Sequence, residues 1–257
     1  MNRAGSKGFT LIEMVISMGF VSFLLIAIAM TIIQIGDTYN RGITLKDVNQ
    51  VGLSVSKELQ DSISQSTPFI ADPGVGSSYK YISKDSTALT SYIKQDYGGR
   101  LCTGRYSYVW NYGKSLNDAA AAHSTSNLNT YEVPNASKEI KLVKVYDLGG
   151  NYCTNAAKAV VISDATELLE SGEHDLALHD FSVISPESNG GIQTLDTKTR
   201  QALYNLSFVI GTNDSNALSP SIGSNTACRP PKDVLSDPSY CSVAQFNIVA
   251  RAGNNKS

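Results

Sequence analysis

Residues suited to catalysis are scarce in this sequence. It holds three histidines, one tryptophan and four cysteines in 257 residues. No CxxC pair and no histidine cluster occurs, so the usual zinc-site spacings are missing. No serine sits in a G-x-S-x-G context, and no glycine-rich phosphate loop is found. Strand–helix–strand alternation is also lacking, which argues against a parallel α/β sheet. Positive charge is not in excess. The 21 basic residues face 23 acidic ones, a formal charge of −2, and no basic stripe points to nucleic acid. The chain therefore reads as no enzyme, with no catalytic residue, cofactor or metal site. Proline is absent before Pro68, which leaves a long N-terminal stretch free to be helical.

That stretch is where the sequence is most informative. Met1 to Gly8 carries Arg3 and Lys7 and no acid, and from Phe9 to Ile33 the only charge in 25 residues is Glu13. About 20 apolar residues suffice for a helix to cross a bilayer. By the positive-inside rule the basic end stays cytoplasmic and the body lies outside. Three fates are open to the run. Signal peptidase could cut after the A-x-A-like Ala27-Ile28-Ala29. The run could stay as an uncleaved anchor. Or the basic leader alone is removed, and the apolar helix becomes the new N-terminus. Glu13 favours the third fate. A carboxylate in an apolar helix costs roughly 2.5–3.5 kcal/mol on insertion scales and asks for a partner. Cleavage before Phe9 frees an ammonium within about one helical turn of it. Between neighbouring subunits, the amine of one could then pair with Glu13 of the other.

Lys7-Gly8-Phe9-Thr10-Leu11-Ile12-Glu13, after a short basic leader and before an apolar run, resembles the class III signal of type IV pilins and type II secretion pseudopilins. The resemblance implies cleavage by a prepilin peptidase between Gly8 and Phe9, N-methylation of Phe9 and an assembly role for Glu13. It also implies passage through the inner membrane and its assembly platform into a filament of like subunits. One departure stands out. Many major pilins carry proline at the position of Met30, and this chain does not. Beyond about Gln65 the resemblance is one of architecture. The chain's length, single helix and late strand are similar to J-type pseudopilins and W-type minor pilins, which sit in a tip complex that primes assembly. A major or adhesive pilin is the alternative within the family. A secreted enzyme or binding module cut after Ala29 is the alternative outside it.

The helical pattern continues past the apolar run. Ile35, Tyr39, Ile43, Val48, Val51, Val55, Leu59 and Ile63 recur at steps of three to five, the mark of one buried face. Pro68 sets an end near Gln65. The organisation expected is a leader over 1–8, an apolar helix over 9–33, an amphipathic continuation over 34–66 and a β-rich body over 67–257. Expected strands are Tyr79–Ser83, Arg105–Tyr112, Glu139–Tyr146, Ala159–Ser163, Leu176–Ile184, Leu203–Gly211 and Val243–Arg251, forming a largely antiparallel sheet. The fold class is α+β: a long helix, half transmembrane and half amphipathic, packed on that sheet. Asp118–Ala122 reads as a short helix, and Asn189–Gly191 and Asn213–Pro220 as loops.

Beyond an export segment, Cys102, Cys153, Cys228 and Cys241 read as two disulfides. Of three connectivities, Cys228–Cys241 with Cys102–Cys153 is favoured. A bridged C-terminal loop is also what the pilin resemblance implies. The Glu173–Asp180 stretch, with His174 and His179, has residue types suited to a metal or acid–base site. Histidines five apart point to opposite faces of a strand, however, so a solvated loop entering a strand is preferred. His123 has no visible partner. Asp233 and Asp237 are a weak calcium candidate suggested by some pseudopilins. Tyr106, Tyr108, Trp110 and Tyr112 share one strand face. Exposed, they would form a stacking surface; packed against the helix, they are core, and the core reading is preferred.

Overall fold

The computed structural model describes residues 10–66, 90–95, 97–117, 128–155, 157–170, 172, 174–184, 202–214, 216–219 and 226–253. The Gly8–Phe9 junction, Tyr79–Ser83, Asp118–Ala122, His123, Glu173 and Asn189–Gly191 fall outside the described residues.

One helix, α1 (Leu11–Ser64), runs unbroken for 54 residues, about 80 Å at 1.5 Å per residue. Gly36, Gly42 and Gly52 do not interrupt it. Thr10 caps its start: its hydroxyl accepts the Glu13 N–H, and the Glu13 carboxylate accepts the Thr10 N–H in return, a reciprocal capping box. Val48, Val51, Val55, Leu59 and Ile63 are buried, as their spacing requires. The two lower members of that stripe behave otherwise. Ile35 and Tyr39 stay exposed, because the body covers the helix only from about Asn40 upward.

The described residues of the body form two antiparallel sheets. The first is ordered β1 (Thr90–Gln95), β2 (Gly98–Thr103), β3 (Tyr106–Asn111), β4 (Leu142–Tyr146) and β5 (Ala165–Glu167). The second is ordered β6 (Leu176–Ile184), β7 (Ala202–Thr212) and β8 (Val243–Ala252). Among the described residues two short helices, α2 (Gly113–Asn117) and α3 (Asn151–Thr154), lie in the connections. The last three expected strands match β6, β7 and β8 within one residue at each end. Three expectations need correction. Glu139–Tyr146 shortens to β4, because a turn closed by Lys138 N–H on Asn135 C=O precedes it. Ala159–Ser163 is not a strand. Val160 makes one bridge to Tyr131, and Ile162–Asp164 then coils into a 3₁₀ turn. β1 and β2 are strands that the sequence pattern does not announce. Gly98-Gly99 reads as a loop in sequence. In the fold, a Cβ at Gly98 would lie 2.1 Å from the Trp110 carbonyl oxygen, so the close approach of β2 to β3 requires glycine there.

The main core is a row of aromatic rings that runs across both sheets and stops at the helix. Trp110 on β3 meets Phe181 on β6 at 4.5 Å between ring centroids. Phe181, Phe208 and Phe246 then stand opposite one another in register on β6, β7 and β8. Phe246 closes the row against Gly52 of α1, where no Cβ would fit. Offset and tilted ring pairs of this kind add about 0.5–1.5 kcal/mol each beyond area burial.

The first sheet is buried on its other face too, under the segment around residues 129–162. Cys102, Val109, Ile140, Val143, Tyr152 and Val160 form this second core. Arg100, almost wholly buried, holds that segment through neutral acceptors: Asn129 Oδ1 and the carbonyls of Tyr152, Asn155 and Lys158. Burial pushes its guanidinium down to about 10, against an opposing influence from Tyr97 and Tyr152.

Candidate functional site

Two regions of α1 carry the functional argument: its uncovered lower half and the clamp that fixes its upper half to the body. The lower half presents Leu11 to Tyr39 with every described side chain uncovered by the body. Its most apolar 18-residue window has a mean hydropathy of 2.5. By length and composition this helix is able to cross a membrane. Hydroxyls within the apolar run bond back to their own helix: Ser17 to Met14 C=O, Ser22 to Met18 C=O and Thr31 to Ala27 C=O. Each donor is therefore satisfied without water, as a hydrocarbon environment demands. The Glu13 carboxylate is satisfied in part as well. Both the N–H and the hydroxyl of Thr10 donate to its Oε2, at 2.9 and 2.8 Å. Among the described residues its Oε1 accepts nothing. The isolated carboxylate expected from sequence thus already has local partners.

The clamp lies about two to four turns above the apolar run and draws on three distant parts of the chain. Asn40 Nδ2 donates to the Tyr240 hydroxyl at 2.9 Å. Thr44, fully buried, has its Oγ1 within 3.1 Å of Ser239 C=O and 3.0 Å of His174 Nε2. The other ring nitrogen of His174 is 2.9 Å from Asp47 Oδ2. About two turns of the helix are thereby tied to the segment leading into β6 and to the disulfide loop before β8. His174 is not a solvated loop residue, as expected from sequence, but a bridge to the helix. His179 faces elsewhere. It is buried at an irregularity in β6, with its ring against Gly113 and Gly211 and its Nε2 3.2 Å from Thr212 C=O. Burial lowers its pKa, and bonds to Thr212 and Gly211 oppose this.

A second tie fixes the top of the helix. Glu58 Oε1 accepts from the Tyr108 hydroxyl at 2.8 Å and lies 2.6 Å from Lys144 Nζ. Ser62 Oγ is 2.7 Å from Thr103 Oγ1. These contacts decide the aromatic strand. Tyr108 and Trp110 are fully buried and Tyr112 is nearly so, while Tyr106 lies partly buried beneath Lys144 Nζ, 4.0 Å from its ring centre. The four do not form a stacking surface; they belong to the helix-side packing. The strand's other face holds Ser107 and Asn111, which are buried rather than solvated. Ser107 donates to Asp147 Oδ2, and Asn111 Nδ2 donates to the carbonyls of Asn129 and Ile140.

The disulfides are Cys102–Cys153 and Cys228–Cys241. The first pins α3 onto β2. The second closes the loop whose Ser239 and Tyr240 reach α1. In that loop Asp233 pairs with Arg229 and caps Leu235 N–H, while Asp237 caps Ser239 and Tyr240 N–H. The two carboxylates are thus engaged separately. Among the described residues no group of three or more histidine, cysteine or acidic side chains is placed to hold a metal. The clamp is the feature that sequence reading misses, because its partners lie 127 to 200 residues apart.

Comparison with protein-family models, curated proteins and solved structures gave no match.

Proposed function

We propose that this chain is a structural subunit of a type IV pilus-like filament, cut from its leader between Gly8 and Phe9 and assembled through α1. The observation that carries the reading is the division of one continuous helix. From Asn40 upward it is fixed to the body, and below that it presents bare apolar surface, with Glu13 near its tip as the one charge before Asp37. A bare segment of that length needs either a bilayer or the apolar helices of neighbours, and a filament subunit uses each in turn. The leader motif supplies the route between them: peptidase cleavage, N-methylation of Phe9 and extraction from the inner membrane. The partners are then other subunits, the prepilin peptidase and the assembly platform. Within the filament, a minor subunit of the tip is the rank suggested by length and layout. A major or adhesive subunit is the alternative.

Intact mass of the exported protein tests the class. The expected species starts at N-methylated Phe9, whereas a Met30 start overturns the reading. Copy number per filament tests the rank, since a stoichiometry near that of the main subunit excludes a tip role. Glu13→Val tests the charge. Loss of incorporation is expected, because Thr10 satisfies only Oε2 and Oε1 remains for a neighbour's amine. Normal assembly removes the need for that pairing.

A further inference from the structure

Among the described strands β8 ends its sheet and leaves one edge unpaired. The carbonyl of Ser242 accepts from Thr212 N–H, so even-numbered residues of β8 face β7. The carbonyl of Val249 instead accepts from Gln60 Nε2 of α1, so odd-numbered residues face away. The N–H and C=O groups of Val243, Gln245, Asn247 and Arg251 therefore line an open edge without partners among the described residues. Natural edges are protected by proline, bulges, short length, several charges or a covering helix or loop; here Gln60 of α1 reaches the edge at Val249, and Ser66, just past the helix, reaches it at Gly253. This one has ten residues, regular register, no proline and one charge, Arg251.

The core beneath that edge is unsealed as well. On β7, Leu206, Phe208 and Ile210 are buried, while their β8 neighbours Ile248, Phe246 and Ala244 are only partly so. On α1, Leu53 is 64 % exposed and lies two turns below Gln60, on the same flank of the helix and beside the same edge. A strand added to β8 would pair its backbone there and lay alternate side chains over Leu53.

Strand direction and strand length together select the occupant. Gly52 meets Phe246, Gln60 meets Val249, and Ser66 C=O accepts from Gly253 N–H, so β8 climbs alongside α1. Ser62 meets Thr103 at the top of β2, so β2 also climbs, and β1, antiparallel to it, descends. β1 and β5 are the two terminal strands of the other sheet and both descend, but β5 has only three residues and β1 has six. Copies anchored in one membrane hold their helices parallel. A β8–β8 pair would then be parallel and would turn one sheet over, placing the two helices on opposite faces. A β1–β8 pair is antiparallel and keeps the helices on one side.

We propose that the β8 edge, with Leu53 beside it, docks the β1 edge of a second copy of this chain. The contact uses a different surface on each partner and so repeats from copy to copy without closing a two-fold dimer. It rests on the filament reading above with several neighbouring copies of this chain, the major-subunit alternative rather than a single tip copy, and supplies that reading with a lateral contact between bodies.

The test uses the full-length chain in cell membranes and sheared filaments, with a short bis-maleimide cross-linker. One population carries Asn247→Cys on β8. The other carries Ser91→Cys, Ile93→Cys or Gln95→Cys on β1. A dimer is expected from mixed populations, absent from Asn247→Cys alone, and lost when Leu53→Lys is added to the β8 partner. A parallel experiment places Ile16→Cys in α1 of every copy. If the α1 product forms but no β1–β8 product does, the docking proposal is overturned and the filament reading stands. A β8–β8 product, or a β1–β8 product indifferent to Leu53→Lys, also overturns it. If the α1 product fails too, the filament reading falls and the docking proposal with it. Proteolytic resistance of each variant is compared with wild type, so that an unfolded chain is not scored as a negative.

Discussion

Replacing Gly52 probes the closest contact between helix and body. A Cβ built there lies 2.0 Å from Phe246 Cζ and within 2.6 Å of both neighbouring ring carbons, so the ring must move. Phe208 stacks behind that ring at 5.3 Å between centroids and blocks retreat inward. The remaining way out is toward the open β8 edge, which strips Phe246 from the core. Overpacking of this kind costs about 1–3 kcal/mol. Alanine is a better helix former than glycine by about 1 kcal/mol, which offsets part of the loss. The net expectation for Gly52→Ala is a destabilisation of about 1 kcal/mol, rising with Gly52→Val. Gly42 is the internal control. It lies on the same helix with nothing within 4 Å of the point where a Cβ would stand, so Gly42→Ala should stabilise by about 1 kcal/mol. Urea unfolding of the detergent-solubilised chain, followed by near-UV circular dichroism, reads both. Adding Phe246→Leu to Gly52→Ala should recover part of the loss through direct coupling between touching residues. If Gly52→Ala matches Gly42→Ala in stability, the Phe246 ring does not seat on the helix at Gly52.

Acid should weaken the body at two named sites. Burial alone would raise the Asp147 pKa, but bonds from Ser107, the Tyr152 N–H and Asn151 outweigh it and hold the carboxyl below its ordinary value. A carboxylate lowered in the folded state gives stability that is complete above the unfolded value near about 3.9 and is lost as pH falls through the folded value. Asp147→Asn should therefore lower stability at neutral pH and flatten the acid limb of a pH titration; an unchanged limb would refute the assignment. His179 acts at higher pH. It is buried neutral with a lowered pKa, so stability is full above the unfolded value of about 6.5 and declines as pH falls toward the folded one. His179→Gln should remove the pH dependence in that window, measured as the thermal midpoint between pH about 7 and 5. A slope equal to wild type would show that another group carries it.

The features legible in the sequence are those generated by local rules. The helix follows from an apolar run, a stripe at helical spacing and the lack of proline before Pro68. Its upper stripe, Val48 to Ile63, faces the body as that spacing demands. β6, β7 and β8 follow from β-branched and aromatic runs bounded by polar turns. What is illegible depends on contacts far apart in the chain. β2 begins with two glycines, which read as a loop until the Trp110 carbonyl is seen to leave no room for a side chain at Gly98. Ile35 and Tyr39 carry the stripe's spacing and remain bare, because the body's reach along the helix is set by Ser239, Tyr240 and His174, none of which a periodicity can register.

Glu13 differs, because its cost and its nearest partner are both local. The cost of a carboxylate in an apolar helix points outward, to an amine on a neighbouring chain. The reciprocal cap with Thr10 arises instead from the three-residue spacing that defines a capping box, and that spacing stands in Thr10-Leu11-Ile12-Glu13. Reading the motif as a processing signal hides its second use as a helix start. The two uses are compatible. A cap that occupies Oε2 holds the carboxylate in one orientation, so that in the proposed filament a neighbour's amine would meet an oriented Oε1 rather than a free rotor. On this argument Thr10→Ala should weaken subunit incorporation, scored by immunoblot of sheared filaments, without altering leader cleavage. Thr10→Ser, which keeps the hydroxyl, should incorporate normally, and equal incorporation of both variants would show that the cap does not orient Glu13.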